Sequence, residues 1–139
     1  MAHHSSTLRF ETKGNGHIID ITDDVLKVVK QSKIKNGLLT VFVPGATGAV
    51  TTIEYEPGLL KDFPAALDRL FPEDIPYAHH LYHPDGNGHS HIRASFLKPS
   101  LTFPVINGEV PLGTWQQIVF VDLDNRPRQR RLIVQILGE

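Results

Sequence analysis

The feature that most constrains this chain is its punctuation: short, β-prone apolar runs, each closed within a few positions by glycine, proline, asparagine or aspartate. Ser6 to Phe10 alternates polar and apolar residues, and Gly14-Asn15-Gly16 turns it into His17 to Asp20. Gly37 to Pro44 and Ala49 to Tyr55 flank Gly45-Ala46-Thr47-Gly48 and read as a hairpin. His89 to Phe96, Ser100 to Val105, Thr114 to Leu123 and Arg130 to Leu137 follow as strands, with Asp124-Asn125-Arg126-Pro127 as a hairpin tip between the last two. Connections this short favour antiparallel pairing.

Two segments carry helical spacing instead. Thr22 has the residue type of an N-cap, with Asp23 and Asp24 in the first turn and Val25, Leu26, Val28 and Val29 as an apolar stripe. Leu60, Phe63, Leu67 and Leu70 form the second stripe; Pro64 there predicts a helix that starts near Phe63 with Asp62 as its cap. The expected architecture is α+β, a mostly antiparallel sheet or sandwich with two helices packed on one side. With 139 residues and no repeat or linker, residues 1–139 read as one domain.

Composition narrows the chemistry. The absence of cysteine excludes a disulfide scaffold, a Cys-type zinc finger and a thiol nucleophile. A formal net charge of -1 offers no global field for nucleic acid or an anionic membrane. The first residues, MAHHSSTLRFE, lack the cationic and apolar regions of a signal peptide, and no apolar run approaches the roughly 20 residues of a membrane span. A cytoplasmic protein is the expectation.

The eight histidines are unevenly spread, and five of them (His79, His80, His83, His89 and His91) fall within thirteen residues. Titratable groups gather where chemistry is done. Read as a strand, residues 89–96 put His89, His91, Arg93 and Ser95 on one face and Ile92, Ala94 and Phe96 on the other. His-x-His at that spacing can share one ion; zinc suits imidazole best, and magnesium is the alternative divalent ion. Pro84-Asp85-Gly86-Asn87-Gly88 can fold the chain back so that His79 or His83 supplies a further ligand, with Glu54 and Asp85 in reserve. Metal-free, the same imidazoles could act as general acid or base.

A second cluster, Arg126, Arg128, Arg130 and Arg131, has the composition of a phosphate or carboxylate clamp. No aromatic residue is interleaved with it, which disfavours nucleic acid. Trp115, between Gly113-Thr114 and Gln116-Gln117, has the setting of a pocket wall.

Four of these stretches together resemble the YjbQ-like family, whose members are described as secondary thiamine-phosphate synthases. They are GLLTVFVPGATGAVTTIEYE at 37–56, DGNGHSHIRAS at 85–95, Gly113-Thr114-Trp115-Gln116, and Asp124-Asn125-Arg126-Pro127-Arg128 with its basic strand. The resemblance implies a homotrimer with a site between subunits where histidines meet a metal or an anion. It implies catalytic roles for His79, His91, Glu54 and Arg128. Arg93, Trp115, Gln116, Arg126 and Arg130 would contact substrate or anion, and His79, His83, His89 and His91 are the metal-ligand candidates. One departure stands out: many members carry a histidine in a Pro-His-Thr-Thr-Ala turn, where this chain has Pro44-Gly45-Ala46-Thr47-Gly48.

The activity so implied couples an aminopyrimidine diphosphate to a thiazole phosphate, releasing pyrophosphate. Negative charge then grows on the leaving oxygens, where a divalent ion or arginines would act. Two further readings use the same residues: metal-dependent hydrolysis of a small phosphorylated metabolite, and a non-catalytic trimeric module that binds a metal or an anion.

Overall fold

The computed structural model describes residues 1–139. Eleven-residue strand β1 (Ala2–Thr12) is followed by β2 (His17–Asp20) and helix α1 (Thr22–Ser32). Next come β3 (Gly37–Phe42), β4 (Gly48–Ile53) and helix α2 (Pro57–Leu70). A 3-10 turn (Ala78–Leu81), helix α3 (Gly88–Leu97), β5 (Ser100–Val105), β6 (Gln117–Asp122) and β7 (Arg128–Gly138) complete the chain.

The strands form two sheets, β1-β7-β3-β5 and β2-β6-β4, and every pairing is antiparallel. The α+β sandwich expected from the punctuation is present. Three α-helices rather than two accompany it, because residues 88–97 are helical and not a strand. Both expected hairpins are also corrected. β3 pairs with β5 and β7 while β4 pairs with β6, so Gly45-Ala46-Thr47 carries the chain from one sheet to the other. Residues 123–127 do the same between β6 and β7. A short glycine-containing turn fixes a reversal of direction, and it leaves open whether the two strands bond to each other or continue in facing sheets.

Alternation along the strands builds the core between the sheets. Leu39, Val41, Leu132, Val134 and Ile136 of one sheet face Val50, Ile118 and Phe120 of the other, and Val25, Val28 and Val29 of α1 close the space. Phe10 meets Phe120 edge-to-face at 5.3 Å, a favoured aromatic geometry. The opposite face of the three-stranded sheet carries a smaller core, where Ala49, Val119 and Val121 pack against Leu67 of α2 and Ala94 of α3. The outer face of the four-stranded sheet carries no helix and exposes Leu38, Phe42 and Leu137.

Helix starts differ from expectation for local reasons. Thr22 is the first residue of α1, and its hydroxyl bonds Asp20 and the Ile118 amide instead of capping. In α2 the carboxylate of Glu56 accepts from the Gly58 and Leu59 amides, and Pro57 occupies the first turn. The helix therefore begins well before Phe63 and carries Pro64 in its interior, where one backbone bond is forgone.

Where the chain crosses between sheets, two buried aspartates gather the corners. Asp122, fully buried, accepts from Arg130 Nε at 2.8 Å and Nη2 at 2.9 Å, and from the Thr12 hydroxyl. Asp124 accepts from Asn87 Nδ2 (3.1 Å), Thr47 Oγ1 (3.0 Å) and Arg128 Nη1 (2.6 Å). The Asn15 amide donates to Asp124 O and the Gly16 amide to Asp122 O, so the β1–β2 corner joins the same hub.

Removing one partner of a buried ion pair strands the other in low dielectric. Asp122→Ala is therefore expected to lower unfolding stability by about 3–5 kcal/mol in urea titrations. Burial alone would raise the Asp124 carboxyl, but Asn87, Arg128 and Thr47 hold it below its ordinary value of 3.8. Its contribution is complete above that value and is lost as pH falls through the lower folded one. Unfolding titrations between about pH 5 and pH 2 should show that loss, and Asp124→Asn should flatten it.

Candidate metal centre

Helix α3 reorganises the histidine segment. Two residues along a helix are about 200° apart around its axis, so His89 and His91 point to opposite sides rather than sharing a face. The buried stripe is His89, Ser90, Arg93 and Ala94, the i, i+1, i+4, i+5 pattern of a helix, while Ile92 and Phe96 are exposed. The strand-face pairing of His89 with His91, Arg93 and Ser95 is thus overturned by a helix whose inward side is largely polar. Ser95 is held locally, its hydroxyl bonding His91 O at 2.8 Å.

The helix start is fixed by close contacts. The Gly88 amide donates to His80 Nε2 at 3.1 Å, and a Cβ at Gly88 would lie 2.7 Å from Cβ of Tyr77. Only glycine lets the 3-10 turn and α3 approach this closely. His83 stacks on His79 at 5.3 Å between ring centroids within the turn segment, and the approach of α3 brings His91 to 4.7 Å from His79.

One triad of potential ligands emerges: His79, Asp85 and His91, with one ligand atom from each lying within 4.8 Å of the others. His79 Nε2 is buried and has no hydrogen-bond partner, although 31% of the side chain is exposed. It stands 3.6 Å from Asp85 Oδ1, too far for a hydrogen bond. Two ligands of a tetrahedral ion at about 2.0–2.1 Å are themselves separated by roughly 3.3–3.4 Å. An orphaned imidazole nitrogen facing a carboxylate and a second imidazole is the donor set of a borderline divalent cation. The Asn87 amide bonds Asp85 Oδ1 at 3.0 Å, which holds that carboxyl below its ordinary range, and the His79 charge adds to the effect.

Other expected site residues lie elsewhere. His83 contributes its ring stack and no ligand atom to the triad. His89 is buried behind the helix, its Nδ1 unpartnered and its Nε2 3.5 Å from Ser90 Oγ and 4.0 Å from Glu73. Burial first, then the Arg93 charge, lowers its pKa and favours the neutral ring. Arg93 is also buried and structural: it donates to Phe71 O from Nε (3.1 Å) and Nη2 (2.8 Å) and to Asp68 at 3.0 Å. Glu54 is exposed beyond β4 and outside the triad.

Trp115 is 72% exposed, and Gln116 bonds Gly113 and Thr52, so neither belongs to a closed pocket within one chain. Arg128 and Arg130 are committed to Asp124 and Asp122, whereas Arg126 is exposed and only 3.9 Å from Asp124. Asn87 was not among the expected site residues. It donates to Asp124 and accepts from the Asn125 amide at 3.2 Å, tying the triad's loop to the buried hub. Its sequence signal is the Asp-x-Asn turn at 85–87 just before the helix.

Comparison with known proteins agrees with this fold. The family described as UPF0047 protein YjbQ-like matches residues 6–139. A UPF0047 protein of Methanothermobacter thermautotrophicus is 41% identical over 98% of this chain and 93% of its own length. One from Archaeoglobus fulgidus is 38% identical, covering 94% and 98%. A solved YjbQ-like structure of unknown function from Sulfolobus solfataricus superposes with a TM-score of 0.89 at 34% identity, covering 99% of this chain and 100% of that one. A Clostridium acetobutylicum member gives 0.87 at 34% identity, covering 95% and 99%.

The position of Arg93 makes a clear expectation. Arg93→Ala, which leaves Phe71 O without its donors, should cost about 1–3 kcal/mol of stability in urea unfolding. Zinc affinity measured at a temperature where the variant is folded should be unchanged.

Proposed function

This chain belongs to the YjbQ-like UPF0047 family, and we propose that it holds a divalent metal ion on His79, Asp85 and His91 and acts there on a small phosphorylated metabolite. The observation that carries the reading is His79 Nε2, buried without a partner and turned toward Asp85 and His91. Two imidazoles and one carboxylate favour zinc over magnesium, which prefers an all-oxygen shell. Three protein ligands leave a position for water or substrate, as catalytic zinc sites do. An ion bound there would supply Lewis-acid neutralisation of charge developing on a phosphate oxygen.

Arg126 is linked to this loop through its chain neighbour Asn125, whose side chain bonds Asp85 O at 3.0 Å. The Arg126 guanidinium is largely exposed, which suits it to a phosphate. The finer reading is thiamine-phosphate synthesis, in which Trp115 would stack the aminopyrimidine and Arg126 would hold the leaving pyrophosphate, with a bound ion supplying neutralisation of its charge. Trp115 is too exposed to form a pocket by itself, so this reading includes a homotrimer in which a neighbouring subunit completes the site. The uncovered apolar residues Leu38, Phe42 and Leu137 support such an assembly.

Zinc titration of chelator-treated protein should give one ion per chain. His79→Ala, His91→Ala and Asp85→Asn should each weaken binding by more than the roughly 10–100-fold cost of losing an outer-shell partner, while His83→Ala should cost less. No stoichiometric zinc, or zinc retained in the His79/His91 double variant, would refute the metal reading. With the aminopyrimidine diphosphate and the thiazole phosphate supplied, release of pyrophosphate with thiamine phosphate identifies the synthase. Inorganic phosphate released from a single substrate identifies a hydrolase, and saturable binding without turnover identifies a binding module.

A further inference from the structure

A second site lies where β7 outruns its neighbour. β7 pairs with β1 from Arg128 to Gly138, but β3 covers only Ile133 to Gly138. Residues 128–132 therefore have no strand partner on the side where β3 turns away at Pro44-Gly45, and a cavity of about 520 Å³ opens there. That volume lies within the roughly 300–1,000 Å³ of small-molecule clefts. Of its nine lining residues only Phe10 is hydrophobic; four are arginines (Arg9, Arg128, Arg130 and Arg131) and Glu11 is the single carboxylate.

These arginines are not equivalent. Arg128 and Arg130 are paired with Asp124 and Asp122 behind the cavity. Arg9 and Arg131 are directly opposite each other on β1 and β7, both exposed, and neither is ion-paired to a carboxylate. Like charges in register on neighbouring strands destabilise a sheet unless something neutralises them.

Arg130 reaches the cavity from the inner face of β7, opposite to the face that carries Arg9 and Arg131. Its side chain is only 4% exposed, and Nε and Nη2 are taken by Asp122 and Thr47. Nη1 makes no hydrogen bond and faces Gly45, where a Cβ would stand 3.4 Å away. Gly45 adopts φ +120°, a conformation that other residues rarely take, so the turn leaves Nη1 uncovered.

From this arrangement we infer that Arg9 and Arg131, side by side on the outer face of the sheet, form an oxyanion site for a phosphate group, free or on a small ester, with Nη1 of Arg130 at the cavity's Gly45 edge. Guanidinium forks present paired donors to phosphate oxygens. Glu11, opposite Gln129 and two residues along β1 from Arg9, is the one carboxylate of the lining and is ion-paired to neither exposed arginine. No histidine lines this cavity, so the site stands apart from the metal reading.

Titration of the full chain with inorganic phosphate and with pyrophosphate, followed by calorimetry and amide NMR, tests the inference. The expected result is one saturable site per chain, with shifts centred on Gly45 and residues 128–131, weakening as ionic strength rises. Arg9→Gln and Arg131→Gln, both at exposed positions, should each reduce affinity at least about tenfold, as loss of a charge-assisted contact worth about 1.5–3 kcal/mol implies. Zinc binding should stay unchanged in both variants. Stronger binding of pyrophosphate than of phosphate would identify a diphosphate group as the ligand, and the reverse a single phosphate. Absence of saturable binding, or binding that survives the double substitution, overturns the site.

Discussion

Asp122 and Asp124 hold together what the sheets alone do not. Each sheet is closed by its own hydrogen bonds, and the core between them is non-directional, so nothing in either fixes how the corners meet. The corners at residues 13–16, 43–47 and 123–127 meet on these two carboxylates through Thr12, Thr47, Arg128, Arg130 and backbone amides. A buried charge needs every partner in place, because a half-satisfied network is worse than none. The hub therefore specifies a single arrangement of corners. Through Asn87 it also specifies where the loop bearing Asp85 lies.

The sequence displayed the strands well and their partners poorly. β2, β3, β5 and β7 fall close to their apolar runs, since alternation against a core leaves a period-two trace. The two sheet-crossing corners left no such trace. Both contain ordinary turn residues, and the information that distinguishes a hairpin from a crossing is carried by distant groups: Asp122, an acid at the end of the apolar run Ile118 to Val121, and Arg130, a cation at an inward position of β7. Inward charges of opposite sign on strands that never pair were the available signal.

At the site, location was legible and geometry was not. Five histidines in thirteen residues mark the segment in which His79, Asp85 and His91 converge. Periodicity misleads over residues 89–96 because the apolar Ile92 and Phe96 face outward. In α3 the inward residues include His89, Ser90 and Arg93, whose polar groups are mostly met by Phe71 O, Asp68 and their neighbours, while Ile92 and Phe96 look outward. A helix with a polar buried stripe has almost no hydrophobic pattern to read, and the alternation of Ile92, Ala94 and Phe96 then imitates a strand.

The two faces of Asp124 explain how one small domain can support two separate charge sites. Oδ1 bonds Asn87, beside the histidine loop, and Oδ2 bonds Thr47 as well as Arg128, which lines the arginine cavity. The aspartates neutralise Arg128 and Arg130 from behind, so the exposed positive charge of the cavity is set by Arg9 and Arg131 against Glu11. On the other side, Asp85 keeps its charge through the Asn87 amide, independently of any arginine. A substitution at Asp124 would disturb both sides together and assign nothing to either. Changes at the periphery, at His79 or at Arg131, remove the atoms that the two proposed sites would use while leaving the hub intact, and only they separate binding from what holds the domain in shape.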